Sequence, residues 1–306
     1  MSSSASSDVF PQRLVELVEK ELEALRDGVD GAIGEPDRDE DLAGWRDAFR
    51  YPLLAGGKRL RPVLLLATAE ALGDEPARLL PAAAALECIH TFSLVHDDLP
   101  AIDDDDLRRG RPTTHVEFGE GVAVLVGDAL LNAAPLLLAR RQSGTADERL
   151  AAIAVLARAT DGMIRGQYLD IEGDPSIETE DGLRRLCALK TGCLLEAAIE
   201  LALVLAGAPS KRAAPFRALG REIGVGFQIV DDVLDATGSD EALGKRAGHD
   251  VATGKRTHVT VLGLERAQTL AAASAARAEA LLAALPPGGD TSSLVAVVRR
   301  IYQRDR

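Results

Sequence analysis

Six aspartates followed by three arginines crowd into HDDLPAIDDDDLRRGRP, residues 96–112 of a 306-residue chain. Aspartate oxygens are hard ligands suited to Mg2+, which takes one or two carboxylates and leaves its other positions to water and substrate phosphates. Arginine forks suit the phosphate oxygens themselves. Alone, such a run reads as a solvated loop. A second cluster changes that reading: Asp231, Asp232 and Asp235 lie in GFQIVDDVLDATG, an otherwise apolar segment where a carboxylate without a cation is costly to bury. Two separated acidic clusters with basic residues nearby describe a site for a metal-bridged diphosphate.

Spacing sharpens this. Asp97 and Asp103 are six residues apart, which a straight helix would set roughly 120° out of register. Pro100 breaks the hydrogen-bond ladder between them, so the chain can leave its helical path and bring Asp103 back toward Asp97. Asp231 and Asp235 are four apart with no breaker, hence on one helix face and within reach of a shared ion. Arginine is the default cation here, and only six of the 35 basic residues are lysine. Four of those lysines stand beside glycine or threonine: Lys58 in GGKRLRP, Lys190 in KTG, Lys245 in LGKRAG and Lys255 in TGKRT. A compact point charge at such places suits a diphosphate.

The elements that position these residues read as helices. Apolar residues recur at helical spacing from Gln12 to Val29, and Gly31 to Asp39 is a turn-rich break. Further helices are expected over Asp41–Leu54, Pro62–Leu72, Pro81–Asp98, Gly121–Arg141, Asp147–Asp170, Thr179–Ala206, Ser210–Ala236, Thr257–Leu285 and Thr291–Gln303. No segment carries a period-2 strand or hairpin signal. The expectation is an all-α, multi-helix bundle with ligand sites between facing helices, residues 11–306 forming one domain behind a disordered lead of residues 1–10. With 46% hydrophobic residues the chain can bury a large core.

Composition excludes some partners. A net charge of −13 argues against nucleic acid, whose phosphates demand a basic footprint. Cys88, Cys187 and Cys193, an odd number scattered through apolar helices, fit reduced thiols and a cytoplasmic location. MSSSASSDVF lacks the basic and apolar regions of a signal peptide. Glu196 and Glu200 interrupt LLEAAIELALVLAGA, the best candidate for a membrane span, so none is expected.

The motifs together resemble those of the trans-polyprenyl diphosphate synthases, and most closely the short-chain bacterial farnesyl diphosphate synthases. DDxxxxD is Asp97-Asp98…Asp103, followed by LRRGRPT; DDxxD is Asp231-Asp232…Asp235, preceded by Phe227-Gln228; GGKRLRP, ECIH, KTG and the two GK pairs also match. The resemblance covers nearly the whole chain beyond the first helix and implies the helical isoprenoid-synthase fold, three Mg2+ ions per active site and a homodimer. One departure is Thr257-His258-Val259-Thr260, where many relatives carry a Thr-Tyr-Pro run.

The resemblance and the residue types together imply roles. Asp97, Asp103, Asp231 and Asp235 would bind Mg2+ carrying an allylic diphosphate, beside Asp98 and Asp232 of the same motifs. Arg108, Lys190 and Lys245, with Lys255 near them, would complement the remaining phosphate charge. Thr191 and Gln228 would offer oxygen dipoles to an allylic carbocation. Gly57, Lys58, Arg61, His90 and Arg109 would bind isopentenyl diphosphate without metal. His90 could instead be a satisfied core histidine, although it shares a helical stripe with Asp97. Gln167 and Asp170 resemble a secondary polar pair facing the metals, with ordinary helix-surface polarity as the alternative. The expected product is farnesyl diphosphate, because Phe92 lies about 7.5 Å down the helix axis from Asp97, with Ser93 one turn below. An aromatic there goes with fifteen-carbon products in the family. Phe92 is also about 140° around the helix from Asp97, which leaves core packing open. The alternatives are geranyl or geranylgeranyl products, a non-catalytic heteromer subunit, or a terpene cyclase.

Overall fold

The computed structural model describes residues 10–25, 44–237 and 256–303. The expected N-terminal lead through residue 9, the turn-rich break and both Lys245 and Lys255 lie outside those residues. The architecture is all-α. Helix α1 (Gln12–Ala24) buries the stripe Leu14, Val18 and Leu22, and Leu25 N–H turns back onto Leu22 O; the rest of the helix expected to Val29 lies outside the described residues. Helix α2 is Trp45–Leu53. Helix α3 (Leu60–Leu72) holds Pro62 in its first turn, where a missing N–H breaks no helical bond, and ends at Gly73 with φ 79°.

A short 3-10 turn, Pro76–Leu79, leads into α4 (Leu80–Asp97). This helix is apolar on nearly every face, and it is accordingly packed on nearly every face. Helices α5 (Thr114–Phe118), α6 (Glu120–Arg140) and α7 (Ala146–Glu172) follow, and α6 lies along α4 in an extensive contact. Helices α8 (Glu180–Cys187) and α9 (Cys193–Leu205) are joined without a break by a π-helical turn, Ala188–Gly192. The core closes with α10 (Ser210–Thr237), α11 (His258–Leu262), α12 (Leu264–Ala283) and α13 (Ser292–Tyr302). Helix α9 is at the centre, against α3, α4, α7 and α10.

Four details differ from expectation. The helix expected over Thr257–Leu285 is two, divided at Gly263, whose φ of 86° is left-handed. The helix expected over Thr179–Ala206 contains the π turn. A two-residue ladder pairs β1 (Leu107–Arg108) with β2 (Arg111–Pro112) where no strand is expected. Its turn residues Arg109 and Gly110 both have positive φ, 55° and 74°, which is the backbone of a tight I′ hairpin turn. Finally, Pro76–Asp97 and Glu120–Arg140, rather than the α9 segment, are long and apolar enough by length and composition to cross a membrane. Their protein-facing residues explain that apolarity, since about two-thirds of the first and 44% of the second are buried within the fold.

Candidate active site

Both aspartate runs sit toward the C-terminal ends of long helices, where the helix dipole already presents negative charge. In the first, α4 ends at Asp97, three residues ahead of Pro100, and the chain doubles back. Asp103 N–H donates to Asp97 O at 2.9 Å, and Asp105 N–H to Asp98 O at 3.2 Å. The two outer carboxylates of the motif thus share one corner of the molecule. Burial, with the repulsion of Asp103 and Asp98 added and Lys190 and Arg108 opposing, pushes the Asp97 carboxyl up to about 6. Asp98 is 3% exposed and bonded instead to Arg108, whose Nε donates at 2.6 Å. Arg108 also donates to Asp105 at 3.1 Å. In this state Arg108, expected to face phosphate, is occupied by carboxylates of its own loop.

The second run divides its three carboxylates. Asp231 is exposed, whereas Asp232 and Asp235 are buried at 4% and 5%. The helical spacing therefore holds, with Asp231 open to solvent and Asp235 set into the helix packing. Asp232 accepts from Gln228 Nε2 at 2.9 Å, from His258 N–H at 2.9 Å and from His258 Nδ1 at 2.8 Å.

Between the runs lies the π turn. Such turns recur at functional sites because one additional residue redirects side chains that a regular helix would bury. Lys190 Nζ donates to Asp170 at 2.5 Å and acts electrostatically on Asp97, while Thr191 Oγ1 donates to Gln228 Oε1 at 2.9 Å. The turn is thus tied to both aspartate helices. Close approach of backbones makes room for it: a Cβ on Gly166 of α7 would lie 2.5 Å from Lys190 Cα, and one on Gly224 of α10 would lie 2.9 Å from Gly192 Cα. Asp170 of the expected polar pair is Lys190's partner, and Gln167 Oε1 is buried without a hydrogen-bond partner among the described residues.

A second, basic region forms at the hairpin. Arg109, held at a left-handed φ, donates to Gly56 O and lays its guanidinium over Gly57, where a Cβ would come within 2.7 Å of it. Arg61 Nη1 is 3.3 Å from His90 Nε2, and its guanidinium stands 5.9 Å from the centre of the Phe227 ring. Burial, reinforced by Arg61, Arg109, Arg108 and Arg59, holds His90 well below the usual histidine range, so its ring is neutral. Lys58 is exposed beside this group. The structure therefore gathers Gly57, Arg61, His90 and Arg109.

Sequence reasoning missed what holds them. Arg59, inside GGKRLRP, is 2% exposed with φ 47°. Its Nη1 donates to buried Glu87 of α4 at 2.6 Å, its Nε to Glu19 of α1 at 2.7 Å, and Nη2 to Leu53 O at 2.9 Å. The signal was Glu87 itself, an acid in the apolar run AAAALECIH.

Phe92 is 5% exposed with its ring edge-on to His96, centroids 5.7 Å apart. Ser93 Oγ donates to His90 O at 2.9 Å. A cavity of about 620 Å³ opens between α4, α6 and α7, lined by Ile89, Leu131, Ile153, Leu156 and Ile164 among others. Ile89 is its only lining residue from α4, so neither Phe92 nor Ser93 forms that wall.

Among the described residues, no three His, Cys, Asp or Glu side chains converge on one ion position.

Residues 44–283 match the family described as polyprenyl synthetase. The chloroplastic geranylgeranyl pyrophosphate synthase of Capsicum annuum is 46% identical over 231 residues, 74% of this chain and 62% of that protein. The chain thus spans a little under two-thirds of the length of such plant relatives. The farnesyl diphosphate synthase of Escherichia coli (strain K12) is 42% identical over 266 residues, 85% of this chain and 89% of that protein. Among solved structures, a Helicobacter pylori geranyltransferase complexed with magnesium and isoprenyl diphosphate is similar with a TM-score of 0.82 at 30% identity, covering 99% of both chains.

Proposed function

Because the chain belongs to the polyprenyl synthetase family, we propose that it condenses isopentenyl diphosphate head-to-tail with an allylic diphosphate, dimethylallyl or geranyl, and releases diphosphate. The observation that carries this reading is the π turn, which ties Lys190 to the Asp97 corner and Thr191 to Gln228 beside the second run. Asp97 and Asp103 would hold Mg2+ on one side, with Asp231 and Asp235 on the other. Bound there, Mg2+ supplies Lewis-acid charge to the leaving diphosphate.

The chain's own groups do the rest. As the allylic C–O bond breaks, its electron pair leaves with the diphosphate, and Lys190 with Arg108 stabilises the growing charge. Thr191 and Gln228 oxygens border the carbocation. Its attack by the isopentenyl double bond forms the new C–C bond, and a proton is then lost to restore an alkene. Arg61, Lys58 and Arg109 hold the isopentenyl diphosphate, with neutral His90 adding a hydrogen bond. Incubation with Mg2+, isopentenyl diphosphate and each allylic starter should release chain-extended prenyl alcohols after phosphatase treatment. Unextended starter alone would refute the proposal.

The two substrate regions should separate in kinetics. Arg61→Ala is expected to raise the KM for isopentenyl diphosphate about 10- to 100-fold while that for geranyl diphosphate changes less than about threefold. Equal rises would show that Arg61 serves both sites.

We assign farnesyl diphosphate as the main product on the bulk of Phe92, five residues before Asp97. A second reading, geranylgeranyl diphosphate, draws on the Ile89-lined cavity and on the plant relatives' names. Phe92→Ala is expected to move the main product from fifteen to twenty carbons. An unchanged product distribution in an active variant would leave Phe92 as packing and shift attention to Ile89.

A homodimer fits the outer face of α6 and α7, where Leu125, Ile164, Tyr168 and Ile171 are 52–62% exposed. Clustered exposed apolar side chains of this kind mark contact surfaces. Paired Leu125→Glu and Ile164→Glu substitutions should convert a dimer to monomer in sedimentation velocity. A monomeric wild-type protein at micromolar concentration would dismiss this interface.

A further inference from the structure

His258 lies in the run Thr257-His258-Val259-Thr260, and the structure gives it a partner inside the site. It is 1% exposed, at the first position of α11. Thr257 caps that helix reciprocally with Thr260, with bonds of 3.1 and 2.8 Å, so the backbone carrying the imidazole is fixed. The ring and the backbone N–H of His258 both reach one oxygen of Asp232, Oδ2. The other oxygen, Oδ1, accepts from Gln228 Nε2, and Gln228 Oε1 accepts from Thr191 Oγ1.

The direction of every proton in this chain is set at Asp232. Its Oδ2 accepts from the backbone N–H of His258, a group that can only donate, so Nδ1 of His258 is assigned as the second donor to that oxygen, and Gln228 turns its amide nitrogen toward Oδ1. Gln228 then presents its carbonyl to Thr191, which spends its hydroxyl proton there. What Thr191 has left is lone pairs. A hydroxyl whose proton is held elsewhere offers only the negative end of its dipole, the end a carbocation needs.

Resting on the prenyl-transfer reading, we propose that His258 is a positioning residue for ionisation, acting through Asp232 and Gln228 to keep the Thr191 hydroxyl proton turned away from the allylic cation. The second aspartate of the DDxxD run is then an anchor for dipoles rather than a metal ligand. Without the His258 ring, Asp232 keeps the backbone N–H but loses one of its three donors, and Gln228 is freer to flip and turn Thr191's proton toward the cation.

A double-mutant cycle tests this. His258→Leu removes the ring donor and is expected to lower kcat for geranyl extension about 10- to 100-fold with both KM values within about twofold. His258→Asn, whose side-chain nitrogen lies near the position of Nδ1, should recover most of the loss. Thr191→Val removes the hydroxyl that the relay orients, so adding His258→Leu to it should cost little more. Multiplicative losses in the double variant, a failure of His258→Asn to recover kcat, or unchanged kcat in His258→Leu would each overturn the relay. If His258→Leu does not fold, isosteric Asp232→Asn replaces it in the same cycle under the same criteria. An inactive wild-type protein would overturn the prenyl-transfer reading and the relay together, whereas an active wild type with unimpaired variants would overturn the relay alone.

Discussion

Replacing Asp97 by alanine is expected to lower turnover about 1000-fold or more at saturating Mg2+, with the fold intact. The loss falls on charge stabilisation as the C–O bond breaks, not on packing. Stability offers an independent check because its sign is opposite. Burial and Asp103 push the Asp97 carboxyl up to about 6, so the folded protein binds that proton more tightly than the unfolded chain does. Between the usual carboxylate range near 4 and that value, folding is progressively penalised as pH rises. At neutral pH the ionised group therefore destabilises the metal-free protein. Asp97→Ala should leave the metal-free Tm at pH 7 unchanged or raised, and the gap between variant and wild type should shrink at pH 4. Turnover within tenfold of wild type would remove Asp97 from the proposed metal set.

Arg59→Ala should destabilise the protein by about 3–5 kcal/mol in urea unfolding, the range for breaking a buried ion pair. The side chain of Arg59 is fully buried and that of Glu87 is 2% exposed, 2.6 Å apart, so truncation leaves a carboxylate inside an apolar helix. Glu19, one-third exposed, can turn to water and should lose far less. Changing both members together, Arg59→Met with Glu87→Leu, should recover most of the stability, because a packed apolar pair replaces a buried charged one. A loss under about 1 kcal/mol for Arg59→Ala would mean that water reaches Glu87. The same single variant should also weaken isopentenyl diphosphate binding, since Arg59 fixes the backbone between Lys58 and Arg61.

Much of the bundle could be read from apolar periodicity, because long helices repeat their pattern enough times to be unambiguous. The return of Asp103 toward Asp97 could be read from Pro100. The hairpin could not: two-residue strands carry no period, and the only trace is Gly110 in the second turn position after Arg109. The π turn was equally hidden. KTG keeps helical composition, and what favours the wider turn is contact with Gly166 and Gly224, residues of other helices. Charge pairing is not legible where partners are distant in sequence. Asp232 was grouped with its neighbours as part of a metal motif, yet its partner His258 is 26 residues away. Arg59 was passed over between two arginine and lysine candidates because its exposure depends on Glu87, 28 residues on.

The π turn also makes length, as well as composition, a guarded quantity in this helix. One surplus residue turns everything beyond it by about 100° relative to an uninterrupted α-helix. Leu183, Leu186 and Cys187 before it, and Leu194, Ala198 and Leu201 after it, are all buried, so both flanks of the turn are fixed by packing. Many conservative exchanges within Ala188–Gly192 would preserve the count, whereas deletion of one codon would straighten the helix, improve its local hydrogen bonding and swing Lys190 away from Asp170. A lost residue in this stretch is therefore a different lesion from a substitution: it displaces Lys190 and Thr191 together, where a substitution alters one side chain at a time.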